Sequence, residues 1–490
     1  MTIEAELQSM LRAAQARRDA GQWEQAARLF RRAEILAPGQ ADIKHNLALV
    51  CFAKGDPLGA RAAAERAVRL KPELWQSHAL LARLNQGAGD HGGAEISWRM
   101  VLKHSPGNGT ALLGLADLTM NEFADPDATI ALVEPLARNP AFAADAELTT
   151  LMALLYRGGV GAEAMSARLI AFSRANLRLP QLPQRRLRPG RRRIGIMSPF
   201  LSASPAYYLA YSGLQALAPA HDLVFLSRGT RSDWANERLR ALAHEWIEAA
   251  HIEPAQLAQR IADADIDVLI DLGGWSDVPG LKALSAKPAP RIYKWVGGQS
   301  ATTGLDMIDG WIGDAWQCPP STAPLYAEPI VNIAGGYVDY TPPSAIAAHV
   351  GLPKHGAALV GNPAKIGEAT FANWPSGLDR VILIDRRYAH ARVRERVTDL
   401  LARHHIAVDR VVTPGSHDAY LRAVGGCEAI VNTQPYAAGL TAVEALALGV
   451  KLLSAGETSG LFCARHHLSH QQTRGRNPEL AAQLLELVGR

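Results

Sequence analysis

Two patterns of apolar and polar positions divide the chain. Up to about Leu179 apolar residues recur every three or four positions with charged residues between them, the spacing that puts one face of a helix in a core. From residue 193 the pattern shortens. "RIGIMS", "DLVFLS", "IDVLIDL", "RIYKWVG" and "GWIGD" are compact runs rich in β-branched residues and predict buried strands, with helices over 208–217, 233–249 and 254–264 between them. After "DYTPPSAIAAHVGLP" the alternation restarts: "AALVGN", "RVILID", "RVVTPG", "EAIVNT" and "VKLLSAG" predict strands, separated by helices near 365–374, 388–404 and 416–425. Strand alternating with helix predicts a doubly wound sheet, here two in tandem. Such sheets bind ligands beyond the C-terminal ends of their strands, so the expected site is a cleft between the two lobes.

The helical front half repeats itself. "GQWEQAARLFRRAEILAP", "GDPLGARAAAERAVRLKP" and "GDHGGAEISWRMVLKHSP" lie on one another with Gly21, Gly55 and Gly89 spaced by 34 residues, and Ala26, Ala60, Ala94 and Pro38, Pro72, Pro106 keep the same step. The period holds again at Ala128 and Pro140, where Phe123 stands in the glycine position. A glycine ends the first helix of each unit in a tight turn, an alanine lets two helices approach, and a proline stops the second. Over residues 5–140 this resembles the tetratricopeptide (TPR) repeat, whose stacked helix pairs imply a groove for an extended peptide or partner protein. The stretch 180–192, "PQLPQRRLRPGRR", reads by composition as a basic linker: a solvated hinge, or a set of arginines meeting an acidic partner or a phosphate.

Composition narrows the class without naming a partner. At 490 residues, about three domains of roughly 100–200 residues each are expected. With 48% apolar and 20% charged residues the chain reads as soluble and globular, and a net charge of +4 is too small to argue for nucleic acid. Cys51, Cys318, Cys427 and Cys463 are scattered and form no CxxC pair, so neither a disulfide framework nor a zinc cluster is expected. With no signal-peptide core and no run of about 18 apolar residues, a cytoplasmic protein without a membrane span is expected. Two acid and histidine groups invite a metal reading. Asp263 and Asp265 have D-x-D spacing but lie between a helix and a strand, where a solvated helix end is expected. His466, His467 and His470 have no carboxylate or cysteine arranged around them. No metal site is therefore expected.

The chemistry concentrates at strand ends. "VNTQPYAAGLTAVEALALG" runs from a strand into a small-residue loop and a helix, whose first N–H groups and dipole suit a phosphate at Gly439 and Thr441. Glu444, a turn later, either accepts hydrogen bonds from ribose hydroxyls or merely complements the dipole. The run from Arg260 to Asp314 is similar to the segment of the O-GlcNAc transferase (SPINDLY-like) glycosyltransferases that carries a D-L-x-G turn, an R-P-A-P-like turn and a T-T-G loop: Asp271, Leu272, Gly274, Pro288, Ala289, Pro290, Trp295, Thr302, Thr303 and Gly304 fall in register, with one extra residue near Gly298. "GNPAKI" resembles the family's N-x-x-K-I strand end, the 432–450 stretch its donor loop and helix, and "GET" at 456–458 follows in place.

The resemblance, which covers about residues 192–470, implies an α plus α/β chain: TPR repeats with capping helices over 1–179, the basic linker 180–192, an N-terminal Rossmann-like lobe over 193–345 and a C-terminal donor-binding lobe over 346–490, the two lobes forming a GT-B glycosyltransferase. It implies transfer of a sugar from a nucleotide-activated donor, the only small molecule expected and CMP- or UDP-linked, to Ser or Thr of an acceptor protein held by the repeats. Lys365 would offset charge developing on the leaving phosphate, though a lysine opening a surface helix reads the same. Asn362 would support the phosphate or sugar, and Thr302 and Thr303 are donor-site candidates. Tyr420, where the family places a base-stacking histidine, would stack on the nucleobase beside His417, or else fill a helix's core face.

Two departures matter. Ser204, with Pro205, stands where the family has a histidine-proline pair near the reaction centre, and serine is a poor general base. Gly439 replaces the histidine that meets the diphosphate. Both point away from UDP-N-acetylglucosamine and toward a CMP-activated nonulosonic acid, which has one phosphate, with flagellin as the candidate acceptor. The competing expectations are a TPR scaffold with a decayed transferase half, a UDP-sugar enzyme of the O-GlcNAc type, and an enzyme building a polysaccharide or small glycoconjugate without a protein groove.

Overall fold

The computed structural model describes residues 2–298, 301–372, 374–454 and 476–489. "GET" at 456–458, Cys463 and the histidines 466, 467 and 470 lie outside the described residues. The chain forms two compact units, Met1–Thr150 and Leu151–Arg490.

The first unit is a stack of antiparallel helix pairs: α1 (Ile3–Asp19) with α2 (Trp23–Leu36), α3 (Ala41–Ala53) with α4 (Pro57–Leu70), α5 (Trp75–Gly87) with α6 (His91–His104), and α7 (Gly109–Asn121) with α8 (Pro126–Val133). Gly21, Gly55 and Gly89 each end the first helix of a pair at φ +71°, +81° and +74°, a region that only glycine enters freely. Ala26, Ala60 and Ala94 are fully buried in the crossings, and Asp56, Asp90 and Asp125 cap the second helices by accepting a backbone N–H three residues on. In the fourth pair the left-handed residue is Ala124 at φ +53°, one place later than the period predicts, and Phe123 is buried instead.

The second unit takes in the end of α9 (Ala143–Arg157), then α10 (Ala162–Asn176), and carries two sheets, every strand pair of which is parallel. The first contains β1 (Arg193–Ser198), β2 (Asp222–Ser227), β3 (Glu245–Glu248), β4 (Val268–Asp271), β5 (Arg291–Lys294), β6 (Gly310–Gly313) and β7 (Ile330–Asn332), in the order β3-β2-β1-β4-β5-β6-β7. The second contains β8 (Ala357–Val360), β9 (Arg380–Ile384), β10 (Ala407–Val412), β11 (Ala429–Asn432) and β12 (Lys451–Ser454), in the order β10-β9-β8-β11-β12. Each order reverses once, at β1/β4 and at β8/β11, where diverging loops open a crevice. Helices α11 (Pro205–Leu217), α12 (Trp234–Arg240), α13 (Pro254–Asp263) and α14 (Val278–Leu284) belong to the first lobe. Helices α15 (Ala391–Arg403), α16 (His417–Gly425) and α17 (Leu440–Ala447) belong to the second.

Several expectations are corrected. The helix expected over 233–249 stops at Arg240, and Glu245–Glu248, with Trp246 and Ile247, becomes the edge strand β3. The helix expected near 365–374 is two 3-10 turns, Pro363–Lys365 and Glu368–Phe371, interrupted by an extended Gly367. Helix α10, expected among the capping helices, is held on the first lobe: Ser166 Oγ donates to Leu325 O (2.5 Å) and Ser173 Oγ to Thr303 O (2.6 Å). The last helix, α18 (Leu480–Gly489), also returns to that lobe, where Gly213 of α11 leaves room for Leu484 and Trp295; a Cβ there would lie 2.8 Å from each.

The basic stretch is no solvated hinge. Arg185 Nη1 is 2.8 Å from the buried Asp267, Arg188 Nε 3.3 Å from the same carboxylate, and Arg191 Nε 2.7 Å from Asp222. Arg192, itself buried, donates to Val488 O and Gly489 O at 2.5 and 2.8 Å, pinning the end of α18. Asp265 pairs with Arg185 and Arg188. No helix among the described residues is long and apolar enough to cross a membrane.

Candidate active site

A cavity of about 1300 Å³ lies in the second unit at the C-terminal ends of both sheets. Loops following β1, β4, β5, β8, β9, β10 and β11 contribute to it, as the two switch points require. Arg231, Arg238, Lys294, Lys365, Arg386 and Arg387 bring six cations to its lining against Asp385, Asp418 and Glu444. That excess suits a ligand carrying negative charge.

Lys365 follows β8 and ends the turn Pro363–Lys365. Its Nζ donates to Ala437 O at 3.3 Å and sits 4.3 Å over the Tyr436 ring, which stacks on Tyr156 at 4.7 Å. Burial pushes its pKa down to about 8 although Asp385 opposes the shift. The ammonium therefore remains mainly charged at neutral pH. Facing it across the crevice is the loop after β11, held by Asn432 Oδ1 accepting from Ala438 N (2.8 Å) and by Thr433 Oγ1 donating to Tyr436 O (2.8 Å). Among the described residues no side chain caps α17, whose N-cap is Gly439, and Gly439 and Thr441 both line the cavity. The free N-terminal amides and the dipole favour an anion there.

Glu444, on α17, is only 2% exposed. His417 Nε2 lies 2.7 Å from its Oε1, Tyr420 also bonds to it, and Tyr208 Oη of the first lobe lies 3.3 Å from His417 Nδ1. Burial raises the Glu444 pKa, and its bonds to His417 and Tyr420 hold that rise back. Tyr420 is itself pushed well above the usual phenol range by burial and by the Glu444 charge. Both rings line the cavity: His417, 36% exposed and tilted against Tyr208 at 5.3 Å, and Tyr420, stacked on His417 at 5.8 Å.

Other expected residues fall differently. Ser204 lines the cavity, but its hydroxyl is the N-cap of α11, accepting from Tyr207 N (3.3 Å) and donating to Phe200 O (2.9 Å). Asn362 accepts from Ala364 N at 3.0 Å, shaping the turn that presents Lys365, and does not line the cavity. Thr302 and Thr303 leave the site altogether. Both are fully buried and donate their hydroxyls to the buried Glu328, Thr302 at 2.7 Å, and Thr303 N adds a third bond at 2.7 Å. Asp271 is likewise a loop cap, accepting from Gly273 N and Gly274 N at 2.9 Å each. The sequence reading missed Tyr208 and Lys294. For Lys294 a signal existed: it is a lone lysine inside "RIYKWVG", a run already read as a buried strand.

These two facing parallel sheets, with a cation-lined cavity at their strand ends and a separate unit of helical repeats, define a repeat-bearing protein of the GT-B class of fold. No family model matches the chain. It is similar to the probable UDP-N-acetylglucosamine–peptide N-acetylglucosaminyltransferase SPINDLY of Petunia hybrida, 26% identical over 287 residues that cover 54% of this chain and 30% of the relative. The similarly named protein of Arabidopsis thaliana is 25% identical over 276 residues, covering 52% of this chain and 30% of the relative. The matched segment thus spans under a third of those relatives' length. Among solved structures, a mutant O-GlcNAc transferase of Thermobaculum terrenum superposes with a TM-score of 0.74 over 91% of this chain and 92% of that one, at 21% identity, a likeness of fold. Together these findings support its placement in the TPR-containing O-GlcNAc transferase (SPINDLY-like) family.

Proposed function

We propose that this chain is a protein O-glycosyltransferase. A Ser or Thr hydroxyl of an acceptor protein held by the repeats attacks the anomeric carbon of a nucleotide-activated sugar, the carbon–oxygen bond to the nucleotide phosphate breaks, and the hydroxyl proton passes to water. The observation that carries the proposal is Lys365: a partly buried, charged ammonium near a helix N-terminus that no side chain among the described residues caps supplies two fixed sources of positive potential for the departing phosphate. His417, positioned by Glu444, is suited to the nucleoside end. Ser204 is occupied as a helix cap and is not assigned the proton transfer.

For the donor, Gly439 in place of a histidine favours a single phosphate and hence a CMP-activated nonulosonic acid, with flagellin as the acceptor. The names of the sequence relatives favour a UDP-sugar instead. Thermal stabilisation separates the two, since a ligand that binds only the folded state raises its melting temperature. CMP at about 100 times its Kd is expected to add about 2.7 kcal/mol, with UDP giving no comparable shift. A shift with UDP alone returns the donor to the UDP class, and no shift with any nucleotide supports a scaffold.

The role of the repeats is tested by truncation. Removing residues 1–142 keeps α9 whole, and with it the Tyr156 ring against Tyr436. Nucleotide binding is expected to persist and acceptor-protein modification to be lost. Unchanged modification would point to a small acceptor that needs no groove.

A further inference from the structure

Among the charged side chains of the cavity that have no part in the transfer just described, Lys294 has the most fully defined surroundings. Lys294 ends β5, is 1% exposed, and its Nζ donates to three successive carbonyls, those of Trp295 (2.9 Å), Val296 (2.8 Å) and Gly297 (2.8 Å). A peptide unit is planar and trans, so each N–H points opposite to the carbonyl of its own unit. Gathering three carbonyls onto one ammonium therefore turns the N–H groups of Val296, Gly297 and Gly298 away from it. All three residues line the cavity, and among the described residues none of these N–H groups has an acceptor.

The surroundings are shaped to this turn. Gly297 (φ +76°) and Gly298 (φ +65°) pack backbone on backbone: a Cβ would lie 2.0 Å from Leu272 O in the first case and 2.6 Å from Gly273 O in the second. Gly274 (φ +51°) leaves the space that the Lys294 stem fills, a Cβ there lying 2.7 Å from Lys294 Cε. Asp271 opposes the effect of burial on the lysine, whose pKa falls to about 8, so the ammonium is mainly charged at neutral pH. The result is a set of preoriented donors with a cation behind them, the arrangement that stabilises an oxyanion in a site shielded from water.

We infer that Lys294 and the amides of residues 296–298 form a seat for an anionic group of the donor sugar, namely a carboxylate. This rests on the nonulosonic acid reading and deepens it, because such a sugar carries a carboxylate on its anomeric carbon, next to the bond that breaks. The first lobe then holds the carboxylate while Lys365 of the second holds the phosphate. Lys294 is a positioning and specificity residue: it acts through the amides and does not touch the ligand.

The nucleotide phosphate offers the same oxyanion chemistry, and the test separates the two. Calorimetric titration of the full chain compares CMP, CMP-N-acetylneuraminic acid and the methyl ester of that sugar's carboxyl. The acid is expected to bind about tenfold more tightly than the ester, the effect of losing a charged hydrogen-bonding partner. Lys294→Met is expected to abolish that difference while changing the CMP affinity by less than about twofold. Equal binding of acid and ester by the unaltered protein overturns the carboxylate seat while CMP binding leaves the donor reading standing. Equal weakening of CMP and CMP-sugar by Lys294→Met assigns the amides to the phosphate and overturns it as well. If neither CMP nor the CMP-sugar binds, both fail together. Should Lys294→Met not fold, the acid-ester comparison on the unaltered protein decides.

Discussion

Replacing Lys365 with methionine is expected to lower the turnover of sugar transfer by about 10²- to 10³-fold, with donor affinity reduced by less than about tenfold. The asymmetry follows from when the charge is needed. Negative charge grows on the phosphate as the glycosidic bond breaks, so an ammonium fixed beside it stabilises the transition state more than the bound donor. Methionine keeps most of the length of the stem and removes the ammonium that sits over Tyr436 and donates to Ala437 O. Single-turnover kinetics alongside nucleotide titration separates the two effects, and equal losses in binding and turnover would remove Lys365 from the chemistry. A scaffold would keep full biological activity in the variant.

The same lysine sets a pH dependence. Its ordinary pKa of 10.5 is lowered to about 8, so the charged form, and with it turnover, is expected to fall as pH rises through about 8. Stability moves the other way. Between about 8 and 10.5 the unfolded chain binds the proton that folded Lys365 has lost, so the contribution of this residue to stability rises with pH across that window. Lys294, also lowered to about 8, adds with the same sign. A turnover profile in which the alkaline limb disappears in Lys365→Met identifies the group.

Asp277→Ala is expected to destabilise the second unit by about 3–5 kcal/mol, read from the denaturant midpoint. Asp277 and Arg228 form a buried bidentate pair, with Nε to Oδ2 at 2.9 Å and Nη2 to Oδ1 at 3.2 Å, and Asp277 also caps α14 by accepting from Gly280 N at 3.1 Å. Alanine leaves a buried guanidinium facing no carboxylate, far costlier than losing a surface bridge. The pair ties the loop after β2 to the loop after β4, at the C-terminal ends of those strands. A loss below about 1 kcal/mol would mean that water reaches Arg228. Replacing both partners with leucine is expected to recover much of the loss.

The amino-acid sequence by itself determined the repeat array, because the 34-residue period of glycine, alanine and proline acts within single helix pairs, where turn and crossing are local events. It also determined ten of the twelve strands among the described residues, most of them apolar runs buried on both faces, and it put Lys365, Gly439, Thr441 and Glu444 at strand and helix ends that face the cavity. Periodicity says which face of an element is buried but not what covers it. Only the tertiary structure decided that α18 lies on the first lobe, that the arginines of 185–192 bind Asp267, Asp222 and the end of α18, and that Thr302 and Thr303 turn inward to Glu328. The same holds for His417, which sits between Glu444 and Tyr208, partners 27 and 209 residues away. Buried polar groups must find hydrogen-bonding partners, and those partners are supplied by whichever distant segment the packing of the apolar faces brings alongside.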